Sequence, residues 1–104
     1  MNILKRLSID SMKFHPGTLV ATKAIAERME NDRVFTQFVH KSIRRHLNCD
    51  WGNLNKEDAA MNDMAFKHGE SRLFSVYEYS SSEKIWIITE WDRSSTTVLF
   101  PSDY

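Results

Sequence analysis

The spacing of the apolar residues changes once along this chain, and that change restricts the fold class more than any other feature. Before residue 70 the apolar side chains recur every three or four positions. Val34, Phe35, Phe38, Val39, Ile43 and Leu47 make one stripe of a helix. From Arg72 onward they alternate, as in strands. Arg72–Tyr79 (RLFSVYEY) and Lys84–Glu90 (KIWIITE) flank the polar loop Ser80–Glu83 and read as a hairpin. Helices followed by strands in one chain predict an α+β domain with the helices on one face of an antiparallel sheet.

Turn and capping residues divide the rest. His15-Pro16-Gly17 is a turn, and Thr18–Ala21 reads as a short strand. Thr22 stands at an N-cap position before a helix over Lys23–Glu30, which Asn31-Asp32 interrupts. Asp32 caps the striped helix and Asn48 stops it. Asp50–Leu54 forms an irregular link. A third helix opens on Asn55, carries Glu57 and Asp58 in its first turn, and ends before Gly69; Met61, Met64 and Ala65 are its expected buried edge. Trp91–Ser95 is a second turn, and Thr96–Phe100 a last strand closed by Pro101. The expected order is a short strand, three helices and a three-stranded antiparallel meander. Residues 1–13 fit either a short helix or an N-terminal arm. The 104 residues suffice for one hydrophobic core, so we expect a single domain over 1–104.

Fourteen basic and fourteen acidic residues cancel, so no global field draws the chain to nucleic acid or to an anionic membrane. The lone Cys49 excludes an internal disulfide and fits a reducing cytoplasm. The first residues lack a signal-peptide core, and no run approaches the roughly 20 apolar residues of a membrane span.

Four polar or aromatic groupings are candidates for chemistry or binding. His46, Asp50, Glu57 and Asp58 could ligate a divalent ion, but their spacing matches no metal motif. The structural alternative has Asp50 capping turn amides, His46 bonded to Asp50, and Trp51 plugging the core. Glu90, Asp92 and Arg93, with Ser94, Thr96 and Thr97, could do acid–base work or bind phosphate. They could equally build a turn in which Arg93 pairs with Glu90. The third grouping is the outer face of the striped helix, where Arg33, Lys41, Arg44 and Arg45 occur with no acid between them. Such a face could dock on an acidic surface or track a phosphate backbone. Finally, the strands carry more apolar side chains than a solvated face needs, and Tyr77, Tyr79 and Trp86 are candidates for an exposed binding face. No Gly-rich phosphate loop, nucleotide fingerprint or Ser–His–Asp arrangement is present, and no cofactor is expected.

The stretch from Gly17 to Tyr104 resembles the small "plasmid-related" proteins of bacterial plasmids, integrative elements and prophages. The resemblance rests on Gly17–Thr22, Arg45-His46, Asp50-Trp51-Gly52, Glu57-Asp58, Asn62, Ala65, Gly69, Arg72, Ser75 and Tyr77. It continues through Ile85–Glu90, Asp92-Arg93-Ser94, Thr96-Thr97, Leu99, Pro101 and Tyr104. Cys49 stands where family members tend to have Gly, and Trp91 where they have Ala. The resemblance implies an accessory protein of a mobile element, a setting rich in inhibitors of CRISPR–Cas and restriction systems. It supplies no catalytic residue.

The leading expectation is therefore a non-enzymatic binding protein, an anti-CRISPR or anti-restriction inhibitor, with Lys41, Arg44, Arg45, Tyr77, Tyr79, Trp86, Asp92 and Arg93 as candidate contact residues. Its partner would be a defence-system protein, with nucleic acid or a second copy of the chain as other partners. One alternative is a nucleic-acid-binding regulator. The other is a ribonuclease toxin similar to the RelE/ParE proteins in element order, although those are usually strongly basic.

Overall fold

The computed structural model describes residues 2–4, 12–69 and 71–104. It is α+β. The strands are β1 (Asn2–Ile3), β2 (Thr18–Ala21), β3 (Leu73–Glu78), β4 (Lys84–Thr89) and β5 (Ser95–Leu99). The helices, all between β2 and β3, are α1 (Lys23–Asn31), α2 (Arg33–Leu47) and α3 (Lys56–His68). Pro101–Asp103 adds a 3₁₀ turn.

The capping signals act as their chemistry requires. The side chains of Thr22, Asp32 and Asn55 accept hydrogen bonds from the amides of Ile25, Phe35 and Asp58. Gly69, at φ 68°, closes α3 in the left-handed conformation.

The expected three-stranded antiparallel meander forms, but the sheet extends beyond it. Its order is β1-β2-β5-β4-β3, and β2 runs parallel to β5, from Thr18 opposite Ser95 to Ala21 opposite Val98. Only β3, β4 and β5 form the antiparallel meander. The short strand has backbone groups to satisfy and β5 has an open edge, so the two join, with the helices and hairpin as their connection. Gly17 permits the approach. A side chain there would bring its Cβ within 2.3 Å of the Ser94 carbonyl oxygen. Of residues 1–13, expected to be a helix or an arm, Asn2 and Ile3 pair with β2 as a strand, and residues 5–11 lie outside the described residues.

Ile25 of α1 and Phe35, Val39, Ile43 and Leu47 of α2 pack on Tyr77, Ile85, Ile87 and Val98 of the sheet, all fully buried. Each such side chain contributes roughly 1.5–3 kcal/mol. Arg28 clamps the rim. It bonds both carboxylate oxygens of Glu83 in the β3–β4 loop and also pairs with Asp32.

α3 lies beside β3, where a second small core holds Trp51, Ala65 and Leu73. Its inner edge matches the expected one only at Ala65. Asn62 and Ala65 are buried, whereas Met61 and Met64 are 70% and 57% exposed. The reason is a polar task. The Asn62 amide donates to the Phe74 carbonyl and accepts from the Phe74 amide at 3.2 Å, as a neighbouring strand would. Next along the same edge, the Val76 carbonyl accepts from Asn53 at 2.7 Å and the Val76 amide donates to Trp51 O at 3.3 Å. The Asn53 side chain then takes the Glu78 amide. This edge of the sheet is closed to further pairing.

Candidate functional site

The second face of the sheet carries Phe74, Val76, Trp86, Ile88, Thr97 and Leu99, and the C-terminal turn folds partly across it. Trp86 stacks edge-on with Phe74 at 5.2 Å and with Tyr104 at 5.7 Å. Arg72 donates to the Tyr104 hydroxyl at 2.9 Å, and Asp103 accepts from the Thr22 hydroxyl at 2.7 Å. A hollow of about 200 Å³ remains, floored by Ile88 and Leu99 and rimmed by Arg72, Glu90, Thr97 and Tyr104. Hairpin register decides what this face can offer. Tyr77 stands opposite Ile85, and Val76 opposite Trp86, so Tyr77 and Trp86 point to opposite faces. The expected exposed face of Tyr77, Tyr79 and Trp86 does not exist. Tyr77 is fully buried beneath the helices and donates to the Asp50 carbonyl at 2.7 Å. Tyr79 is half-buried against Phe35 and Phe38.

The polar residues with the most chemical potential are committed to the interior. His46 is fully buried at the end of α2. Its Nδ1 bonds the Ser75 hydroxyl and its Nε2 lies 2.8 Å from the Thr89 hydroxyl. Thr89 is 2.7 Å from Thr96, which donates to the Pro16 carbonyl at 2.8 Å. A carbonyl can only accept, so the direction of the chain is fixed. Thr96 gives its proton to Pro16, Thr89 gives its own to Thr96, and Nε2–H of His46 must donate to Thr89. Nδ1 then accepts from Ser75. The ring is neutral, with its pKa pushed down to about 3 by burial and, secondarily, by Arg93. The expected His46–Asp50 bond is absent, because the ring points into the sheet and Asp50 stays at the surface. A Ser–His pair sealed from solvent, with a second hydroxyl where a triad has a carboxylate, holds α2, β3, β4 and β5 together.

Arg93, partly buried, is committed to backbone carbonyls. Burial lowers its pKa, and its guanidinium donates to the carbonyls of Ser71 at 2.7 Å, Ala65 at 3.1 Å, Glu90 at 3.1 Å and Trp91 at 3.3 Å. The expected ion pair with Glu90 does not form; the side chain ties the end of α3 and the start of β3 to the β4–β5 turn instead. Asp92 is exposed, and its carboxylate accepts from the Ser94 amide, which sets that turn.

Asp50 takes the Gly52 amide, as expected, and pairs bidentately with Arg45 at 2.7 and 3.1 Å. That bond holds the Asp50 carboxyl below the usual range. The Arg45 guanidinium also stacks over Tyr77 at 5.0 Å. Arg45 is thus half-buried and neutralised. Lys41 and Arg44, one turn apart on the outer face of α2, are exposed and take part in no ion pair among the described residues. Arg33 continues their stripe toward the start of the helix.

Among the described residues, no three His, Cys, Asp or Glu side chains converge on a point that could hold a metal ion. Among the described residues, no helix is long and apolar enough to cross a membrane. Comparison with family models, curated proteins and solved structures finds no match.

Sequence reasoning missed the outer side of α3. Met61 and Met64 border a groove of about 380 Å³ completed by Ala60, Ala65, His68 and Ser71. Trp91, 64% exposed, sits on the turn that Arg93 fastens to Ala65 and Ser71. One signal was available: the helix has no continuous apolar stripe, so its methionines need not point inward.

Proposed function

We propose that this chain is a non-enzymatic binding protein of a bacterial mobile element that blocks a defence complex, as an anti-CRISPR or anti-restriction inhibitor, in the cytoplasm. The link to mobile elements and defence comes from the sequence resemblance. The observation that carries the binding reading is the division of polar groups. His46, Ser75, Thr89 and Thr96 are spent inside and Arg93 is tied to backbone carbonyls, while Lys41 and Arg44 are presented on a helix whose other side is locked into the core. Cations on a rigid backbone lose little conformational entropy on docking, and they orient a partner bearing acidic groups.

The test is a paired charge reversal, Lys41→Glu with Arg44→Glu, which leaves Arg45 and its bond to Asp50 in place. Phage plating is measured on a host carrying a CRISPR–Cas or restriction system that targets the phage. Wild type should raise plating and the double variant should not. Equal protection by both would remove the stripe from the account.

A nucleic-acid-binding regulator using the same two cations is the second reading, since two exposed cations one turn apart also suit a phosphate backbone. It predicts binding to duplex DNA whose affinity falls steeply with salt. The toxin reading would need positive groups lining the sheet, whereas Arg72 is engaged by Tyr104 and Arg93 by backbone carbonyls.

A further inference from the structure

We propose that the chain pairs with a second copy of itself through the outer side of α3, the two helices lying antiparallel about a twofold axis between Met61 and Met64. Asn62 and Ala65 take the inner side, so Glu57, Met61, Met64 and His68 follow one another at helical spacing along an outer one, all exposed. Large apolar side chains one turn apart, bordering a groove, are a surface that needs an occupant. Methionine suits it, being flexible and polarisable enough to fill an irregular contact.

The charges choose the occupant. Glu57 and Asp58 stand in the first turn of α3, and Lys67 and His68 in the last. Rotating a second copy by half a turn about the midpoint places Met61 against Met64 and Glu57 against His68, each pair made twice. The macrodipole accounts for acids at the start and bases at the end of a helix, but not for two exposed methionines between them. An isologous contact uses all three features, because one patch supplies both signs in the order the rotation requires. With 13 residues the helix is about 20 Å long. A single helix pair buries less than the roughly 800 Å² per partner of a stable complex, so the dimer forms with rising concentration, and Trp91 on the neighbouring turn widens it.

Sedimentation equilibrium of the whole chain tests this. Between about 1 and about 200 µM, the range that resolves a micromolar dissociation constant, wild type should pass from monomer to dimer mass. Met64→Glu, at an exposed position, should weaken pairing at least tenfold without lowering the melting temperature. Two charge variants fix the register. Glu57→Lys and His68→Glu should each be monomeric alone and pair when mixed, since each then meets its complement. Wild type that remains monomeric throughout, Met64→Glu that pairs like wild type, or a mixture that stays monomeric would each overturn the proposal. Lys41→Glu with Arg44→Glu lies on another helix and should leave pairing unchanged, so this test fails or succeeds independently of the proposed inhibitory surface.

Discussion

Because His46 donates from Nε2 and accepts at Nδ1, a second proton would reverse the bond to Ser75 and place a charge where no water reaches. The folded ring takes that proton only near pH 3, the unfolded ring near its ordinary 6.5. Between those values the unfolded chain binds one proton more, so stability is complete above about 6.5 and falls as pH drops. The slope is about 1.4 kcal/mol per pH unit, or ~2 kcal/mol by pH 5. His40, lowered by partial burial and by Arg44, acts in the same sense. Urea melts from pH 7 to 5 should show this slope in wild type and a shallower one in His46→Gln; parallel slopes would mean that the ring titrates normally. Beside His46, Trp51 donates from its indole nitrogen to Asp63 at 2.9 Å and lays its ring edge-on to the imidazole at 5.6 Å. Trp51→Ala should cost about 3–5 kcal/mol. A fall of less than a few degrees in melting temperature would contradict its place in the core. Asp-Trp-Gly was legible as a turn, and the structure explains the glycine: Gly52 has φ 71°, and a Cβ there would lie 2.0 Å from the Val76 carbonyl oxygen. That backbone approach joins residues far apart in sequence, so no local pattern could announce it.

Elements were legible where local chemistry decides them. Thr22, Asp32 and Asn55 announced three helix starts because a short polar side chain before a helical run has one favoured use. Strands β3 and β4 could be read from alternation, and β2 was placed from Thr18 to Ala21. What escaped was pairing at a distance. The parallel match of β2 with β5 joins Thr18 to Ser95, and neither strand carries a mark of the other. The inner edge of α3 escaped for a different reason. Spacing rules assume that apolar residues turn inward, but here an asparagine does, because the open edge of β3 must be hydrogen-bonded. Asn62→Ala should therefore cost about 1–3 kcal/mol, the penalty for stranding a buried amide and carbonyl. It should also speed hydrogen exchange at the Phe74 amide. Unchanged exchange there would mean that the edge is protected by something other than Asn62. Of the candidate contact residues, the sequence placed Lys41 and Arg44 outward because the stripe of α2 left them no other direction. It could not separate them from Arg45, whose partner Asp50 lies beyond the end of the helix.

At the scale of the whole molecule, a neutral chain acquires distinct surfaces from the way its charges are paired. Arg28 and Arg45 are neutralised by ion pairs and Arg93 is tied to backbone carbonyls, whereas Lys41 and Arg44 stay exposed on α2 with no ion pair among the described residues. The α3 side, with its methionines and opposed charges, is a second surface that leaves the first free. The central claim is that inhibition runs through the α2 stripe, and the plating experiment reads it most directly. Wild type should raise the plating of a targeted phage at least tenfold, and Lys41→Glu with Arg44→Glu should return it to the level of an empty host. Both proteins should melt at the same temperature within about 0.5 kcal/mol of stability, as surface substitutions do. Protection that survives the double reversal, in a host where wild type protects, would contradict the account.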